Sequence, residues 1–150
     1  MEGSATVIIN KPIEEVFSFI TNVENNDRWV EGASETKLIT DEEVTIGSVF
    51  QGKYSYSGKT HEIGYEVVKF SSPDKLGVKS THGPFPFENW LDLKNVEGQT
   101  EITNTIDAGS DHWVTSVMFI LLKPLLKRQM SKQMKKELEN LKAILELKMN

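Results

Sequence analysis

The stretch Val117-Met118-Phe119-Ile120-Leu121-Leu122-Lys123-Pro124-Leu125-Leu126, continued to Leu145, decides the fold. It opens as an apolar run, crosses Pro124 and becomes a long amphipathic helix. The early apolar residues are Val114, Val117, Met118, Leu121, Leu122 and Leu125; the later ones are Leu126, Met130, Met134, Leu138, Leu141 and Leu145. At about 100° per residue the two sets fall on nearly opposite faces. One straight helix cannot bury both against the same surface. Pro124 lies at the changeover, where it removes a ladder hydrogen bond and clashes with the carbonyl four residues back. A bend or break is therefore expected over residues 120–125. Ser110 or Asp111 can cap the helix start by accepting a backbone N–H.

Upstream, the period changes from helical to two. The segments Thr6 to Ile9, Ser34 to Thr40, Ser48 to Tyr56, Thr60 to Phe70, Leu76 to Thr81, Phe85 to Lys94 and Thr100 to Ala108 read as strands. Between them stand Asp41-Glu42-Glu43, Ser57-Gly58-Lys59, Ser71-Ser72-Pro73-Asp74, His82-Gly83-Pro84 and Glu97-Gly98-Gln99. Connections this short imply an antiparallel meander rather than crossover units. After the first strand, Pro12 suits a helix start and Glu14 and Glu15 suit the positive end of its dipole. Ile13, Val16, Phe17 and Ile20 then form one apolar face. Phe17 and Ile20 are expected to fix this helix to the sheet edge. A second helical turn is read through Arg28-Trp29-Val30.

The chain of 150 residues is read as one domain, 1–150, large enough for an ordinary core. It has no cysteine, which excludes disulfides, thiolate metal sites and thiol nucleophiles. Its formal net charge of −5 argues against general nucleic-acid binding. No basic region followed by an apolar one opens the sequence, and the longest apolar run is far short of the roughly 20 residues of a membrane span. The expectation is a soluble cytoplasmic protein.

Strand alternation assigns the inward side chains. Phe50, Gly52, Tyr54 and Tyr56 form one set, then Ile63, Tyr65 and Val67. Leu76, Val78 and Ser80 follow. Phe87, Asn89, Leu91 and Leu93 come next, and Ile102, Asn104 and Ile106 complete the face. Apolar walls with a few amides and hydroxyls have the makeup of a ligand pocket, and equally of an ordinary core with satisfied amides. The candidate ligand contacts are Trp29, Phe50, Tyr54, Tyr56, Tyr65, Phe87, Asn89, Leu91, Asn104, Trp113, Val117, Met118, Leu121 and Leu122. Trp29 and Trp113 would stand at the pocket mouth or act as anchors. Met118 and Met130 would lend the wall adaptability.

No catalytic residue or metal site is assigned. His61, His82 and His112 show no metal-ligand spacing, and no GxSxG elbow or glycine-rich phosphate loop occurs. Glu62 and Glu66 are expected to face water. Lys123, Lys127, Arg128, Lys132, Lys135 and Lys136 are six cations without an acid over residues 123–136. They read as a solvated helix face, or as a weak contact with anionic surfaces through Lys132 and Lys135.

The order of strand, two short helices, six strands and long helix resembles the START/Bet v 1-like (SRPBCC) superfamily, in particular its polyketide cyclase/dehydrase-like bacterial members. The carriers are Ile9-Asn10-Lys11-Pro12-Ile13-Glu14-Glu15-Val16-Phe17, Trp29, Gly47-Ser48-Val49-Phe50, Gly98-Gln99-Thr100-Glu101-Ile102-Thr103 and the closing Leu138 to Glu146. The resemblance implies an α+β helix-grip fold: a curved seven-stranded antiparallel sheet, two short helices, and a long C-terminal helix kinked near Pro124. It implies binding or transport of a hydrophobic small molecule between sheet and helix, with no cofactor. Family members also include cyclases and cochaperones, so an aromatase/cyclase-like enzyme and a protein-interaction module are the alternatives.

Overall fold

The computed structural model describes residues 2–40, 43–56, 58–83, 86–108 and 117–147, and for Tyr56, Ala108 and residues 117–126 the backbone alone. The seven strands are β1 (Glu2–Ile9), β2 (Ala33–Leu38), β3 (Val49–Tyr56), β4 (Lys59–Ser71), β5 (Lys75–His82), β6 (Phe87–Val96) and β7 (Gln99–Ala108). They form one antiparallel sheet in the order β1-β7-β6-β5-β4-β3-β2. Helix α1 (Ile13–Thr21), a 3-10 turn (Val23–Asn25) and the short α2 (Asn26–Trp29) connect β1 to β2, and the long α3 (Val117–Leu147) closes the order.

Each strand read from the sequence is present, with its ends shifted by no more than a few residues. The Glu97-Gly98 connection is a two-residue hairpin, with Val96 opposite Gln99 and positive φ at both turn residues, 53° and 84°. That twist matches the flanking strands. Irregularities in the pairing interrupt β2 between Ser34 and Lys37, and β4 between Gly64 and Tyr65 and again between Val67 and Lys69. Such bulges bend a strand and raise its twist, which curls the sheet around α3.

Along its described length α3 lies beside edge strand β1 and reaches α2 on its other flank. At Gly3 the two come close: a Cβ there would lie 2.7 Å from Met130 Cε, the mobile end of a flexible side chain, and 3.0 Å from Ser131 Oγ. Lys135 Nζ donates to the Thr6 carbonyl at 2.5 Å and Lys142 Nζ to the Ile8 carbonyl at 2.6 Å. Ammonium groups thus occupy acceptors of an edge strand that would otherwise invite another chain. The helix runs unbroken from Val117 to Leu147, so of the bend or break expected at Pro124 the break does not occur. No helix among the described residues is long and apolar enough to cross a membrane.

The core follows the predicted stripe. Met134, Leu138, Leu141 and Leu145 of α3 are buried with Val7, Ile9, Val67, Leu76, Leu91, Leu93 and Ile102 of the sheet. Full burial of each such aliphatic side chain stabilises the fold by about 1.5 to 3 kcal/mol. Helix α1 adds Val16, Phe17, Phe19 and Ile20. Phe17 does not sit at the sheet edge as expected: its ring lies 5.5 Å from that of Phe70, in the interior strand β4.

Candidate functional site

The concave face is legible from pairing register, because residues directly opposite each other in an antiparallel sheet share a face. Phe50 faces Tyr65, which faces Ser80. Val67 faces Val78, Val78 faces Asn89, and Asn89 faces Ile106. Leu76 faces Leu91, which faces Asn104, which faces Ala5. The sets inferred from alternation therefore lie on one face, with Glu62 and Glu66 on the other.

Burial is graded along that face. Leu76, Leu91, Leu93 and Ile102 are buried in one core cluster with Leu138, Leu141 and Leu145 of α3, whereas Tyr54, Ile63, Ser80, Phe87, Asn89 and Ile106 are only half-buried. The Phe50 and Tyr65 rings meet edge to face, centroids 3.9 Å apart, and Phe87 lies 6.3 Å from Tyr65. The amide of Asn89 donates to Asn104 Oδ1 at 2.5 Å and to the Thr105 carbonyl at 2.7 Å. These bonds hold two amides in an otherwise apolar surface, where an unmet polar group would be costly.

Helix α2 fastens to this face through polar side chains. Asn26 Nδ2 donates to Tyr65 Oη at 2.9 Å. Asp27 takes the Thr36 hydroxyl at 2.6 Å on one oxygen and the Thr36 N–H at 3.2 Å on the other. Gly52 makes room, since a Cβ there would lie 2.9 Å from Thr36 Oγ1. Burial pushes the Tyr65 hydroxyl above its ordinary pKa, outweighing the Asn26 hydrogen bond, so it is a neutral hydrogen-bonding group. Trp29 is not at a pocket mouth; it is buried in the core, and its Nε1 finds no hydrogen-bond partner among the described residues.

Sequence reasoning missed Glu137. Its signal was available: Glu137 lies three residues after Met134 and four before Leu141, on the buried stripe of α3. A carboxyl on a helix's buried stripe is out of place unless partnered. Glu137 Oε2 accepts the Glu31 N–H at 3.1 Å and Gln133 Nε2–H at 3.4 Å. Burial pushes its pKa up to about 7, against the lowering effect of those hydrogen bonds. Glu31 itself pairs with Lys136 at 2.8 Å.

Of the other predicted residues, Trp113, and with it His112 and the Ser110 or Asp111 cap, lies outside the described residues. So do the side chains of Tyr56, Val117, Met118, Leu121 and Leu122. No group of three or more His, Asp or Glu positioned for a metal occurs among the described residues. Two open grooves of about 490 Å³ each run along α3, one lined by Val7, Ile8, Lys135 and Lys142, the other by Glu31, Lys132 and Lys136. They are distinct from the predicted inner-face site. Lys135, read as a cation for anionic surfaces, is hydrogen-bonded to the Thr6 carbonyl.

A curved seven-stranded sheet closed by a long C-terminal helix defines the helix-grip class. Residues 2–146 match the family described as polyketide cyclase / dehydrase and lipid transport, and the chain belongs to that family. No curated protein matches the sequence. Among solved structures, a protein from Thermus thermophilus superposes with a TM-score of 0.80 at 16% identity, covering 100% of both chains. The Zhui aromatase/cyclase from Streptomyces sp. R1128 is similar with a TM-score of 0.74 at 9% identity, over 100% of this chain and 96% of that one. The ginseng major latex-like protein 151 from Panax ginseng gives 0.68 at 16% identity, over 95% of each chain. At such identities the likeness is one of fold.

Proposed function

We propose that the chain, acting as a single domain, takes up a hydrophobic small molecule between the concave sheet face and α3, without covalent chemistry. The observation that carries this reading is the graded burial. Tyr54, Ile63, Phe87 and Ile106 keep apolar surface partly uncovered on the concave face. Covering such surface contributes about 25 cal/mol per Å². Phe50, Tyr65, Leu91 and Asn104 would back the site, with Asn89 and Trp29 as polar points. Tyr56, Trp113, Val117, Met118, Leu121 and Leu122 would complete the wall. Lipid transport in the family description supports the ligand class. Native mass spectrometry of freshly purified protein tests it: a co-purified apolar adduct that dissociates on denaturation is expected, and a bare chain that also fails to retain added lipid contradicts it.

Glu137 favours a second reading, an aromatase/cyclase-like enzyme. A carboxyl near pKa 7 is poised to give or take a proton beside a bound carbonyl. The neighbouring aromatase/cyclase from Streptomyces is in keeping with it. Turnover of a polyketide or aromatic ester that is lost in Glu137→Gln would select this reading, and turnover unaffected by that change would remove Glu137 from it.

A further inference from the structure

The amide pair on the concave face has a fixed polarity. Asn89 Nδ2 gives one hydrogen to Asn104 Oδ1 at 2.5 Å and the other to the Thr105 carbonyl at 2.7 Å. A backbone carbonyl can only accept, so the second bond settles which end of the Asn89 amide is nitrogen. The first bond then settles Asn104: its oxygen is the end held by Asn89, and both hydrogens of its Nδ2 are left over. No other hydrogen bond to the Asn104 side chain occurs among the described residues.

The leftover donor is buried but within reach. Asn104 is 5% exposed. Among the described residues, the partnerless side-chain atoms that are wholly sealed are Trp29 Nε1 and Glu146 Oε2, so Asn104 Nδ2 borders open space. Asn104 stands opposite Leu91 on one side and Ala5 on the other, with Ile102 and Ile106 two residues away along its strand. These four neighbours are uncharged and carry no side-chain acceptor. Asn89 is half-buried, so water can meet its remaining oxygen. The capacity left unmet at this point of the face is therefore a donor's, and buried polar groups are rarely left so.

We propose that Asn104, oriented by Asn89, determines specificity at the concave-face site by donating Nδ2–H to a neutral carbonyl oxygen of an otherwise apolar ligand: a ketone, aldehyde or ester. This rests on the hydrophobic-ligand reading and adds a chemical class to it. A carbonyl takes the bond and asks for none in return, which suits the apolar neighbours. A hydrocarbon leaves the donor unmet. A carboxylate would lose its water against these walls with no cation among them to offset the loss.

The test uses the full chain with 2-acetylnaphthalene and 2-ethylnaphthalene, which differ by a carbonyl in place of a methylene, and with 2-naphthoate. Calorimetric titration at pH 7.5 gives the affinity ratio of ketone to hydrocarbon. That ratio should fall about tenfold in Asn104→Leu, the value of one well-made neutral hydrogen bond. Affinity for 2-ethylnaphthalene should stay within about twofold, because leucine nearly conserves the volume. Wild type should bind 2-naphthoate more weakly than the ketone. The infrared carbonyl band of 2-acetylnaphthalene bound to wild type should lie below its position in hydrocarbon solvent, a reading that needs no variant to fold. An unshifted band, a ratio unchanged in Asn104→Leu, or tighter binding of 2-naphthoate than of the ketone would overturn the Asn104 assignment while the hydrophobic site stands. Failure of wild type to bind any of the three would overturn the site itself.

Discussion

Glu31 and Glu137 are both acids, yet they are held together: the N–H of Glu31 donates to Glu137 Oε2 at 3.1 Å, while the Glu31 carboxylate turns to Lys136 at 2.8 Å. This joins α3 to the turn between α2 and β2. Lysines 135 and 142 join the same helix to β1 on the other flank. The greasy stripe of α3 faces the sheet, and polar contacts on both sides fix how it lies.

The buried carboxyl makes stability depend on pH. Burial raises the folded pKa of Glu137 from the ordinary 4.5 to about 7. Between those values the folded chain keeps a proton that the unfolded chain has released. Its contribution to stability therefore falls as pH rises through that window, and the loss is complete above about 7. The gap corresponds to about 3 kcal/mol. Glu137→Gln removes this dependence, so relative to wild type it should gain up to that amount between pH 4.5 and pH 8. Urea unfolding at both pH values measures the difference; a difference independent of pH would contradict the assignment.

Gly32 sets the turn that presents the Glu31 N–H. Its φ is +84°, and a Cβ there would lie 2.6 Å from the Ser55 carbonyl oxygen. Its own carbonyl accepts the Ser55 N–H at 2.9 Å. Gly32→Ala combines a disfavoured backbone with a backbone clash and should cost about 2 kcal/mol or more. Gly58→Ala shares the positive φ but has open space around it, and should cost only the backbone part. Equal thermal unfolding shifts for the two variants would show that the clash is relieved.

Leu138 is fully buried at the centre of the grip. Leu138→Ala leaves a cavity there and should lower stability by about 2 to 5 kcal/mol. Leu147→Ala, at a position 74% exposed, should change it by less than about 0.5 kcal/mol. Chemical denaturation of the two variants side by side checks both.

The sheet was legible because strand period and turn chemistry are local. The alternation Phe50, Tyr54 and Leu91, Leu93 gives the inner face, and Glu97-Gly98-Gln99 marks the turn into β7, while the register of the pairing comes from the structure alone. The burial of Leu138, Leu141 and Leu145 followed from helical spacing. Glu137 was not found, although its place on the stripe was readable. The solvated-face reading covers only the cations over residues 123–136, and nothing local tells that an N–H from Glu31, 106 residues away, meets Glu137. The fate of Lys135 was hidden for the same reason: its acceptor is the Thr6 backbone, which side-chain patterns do not register. Trp29 was read as rim or anchor; its depth depends on how α2 docks through Asn26 and Asp27.

Photolabelling with an apolar diazirine probe tests the central claim most directly, with the modified residues mapped by peptide mass spectrometry. A ligand site between sheet and helix predicts label on Tyr54, Phe87 and Asn89, competed by excess unlabelled apolar ligand, with little on the outward Ile8 and Val68. Label on Ile8 and Val68 alone, or label on the concave face that no ligand displaces, would contradict it.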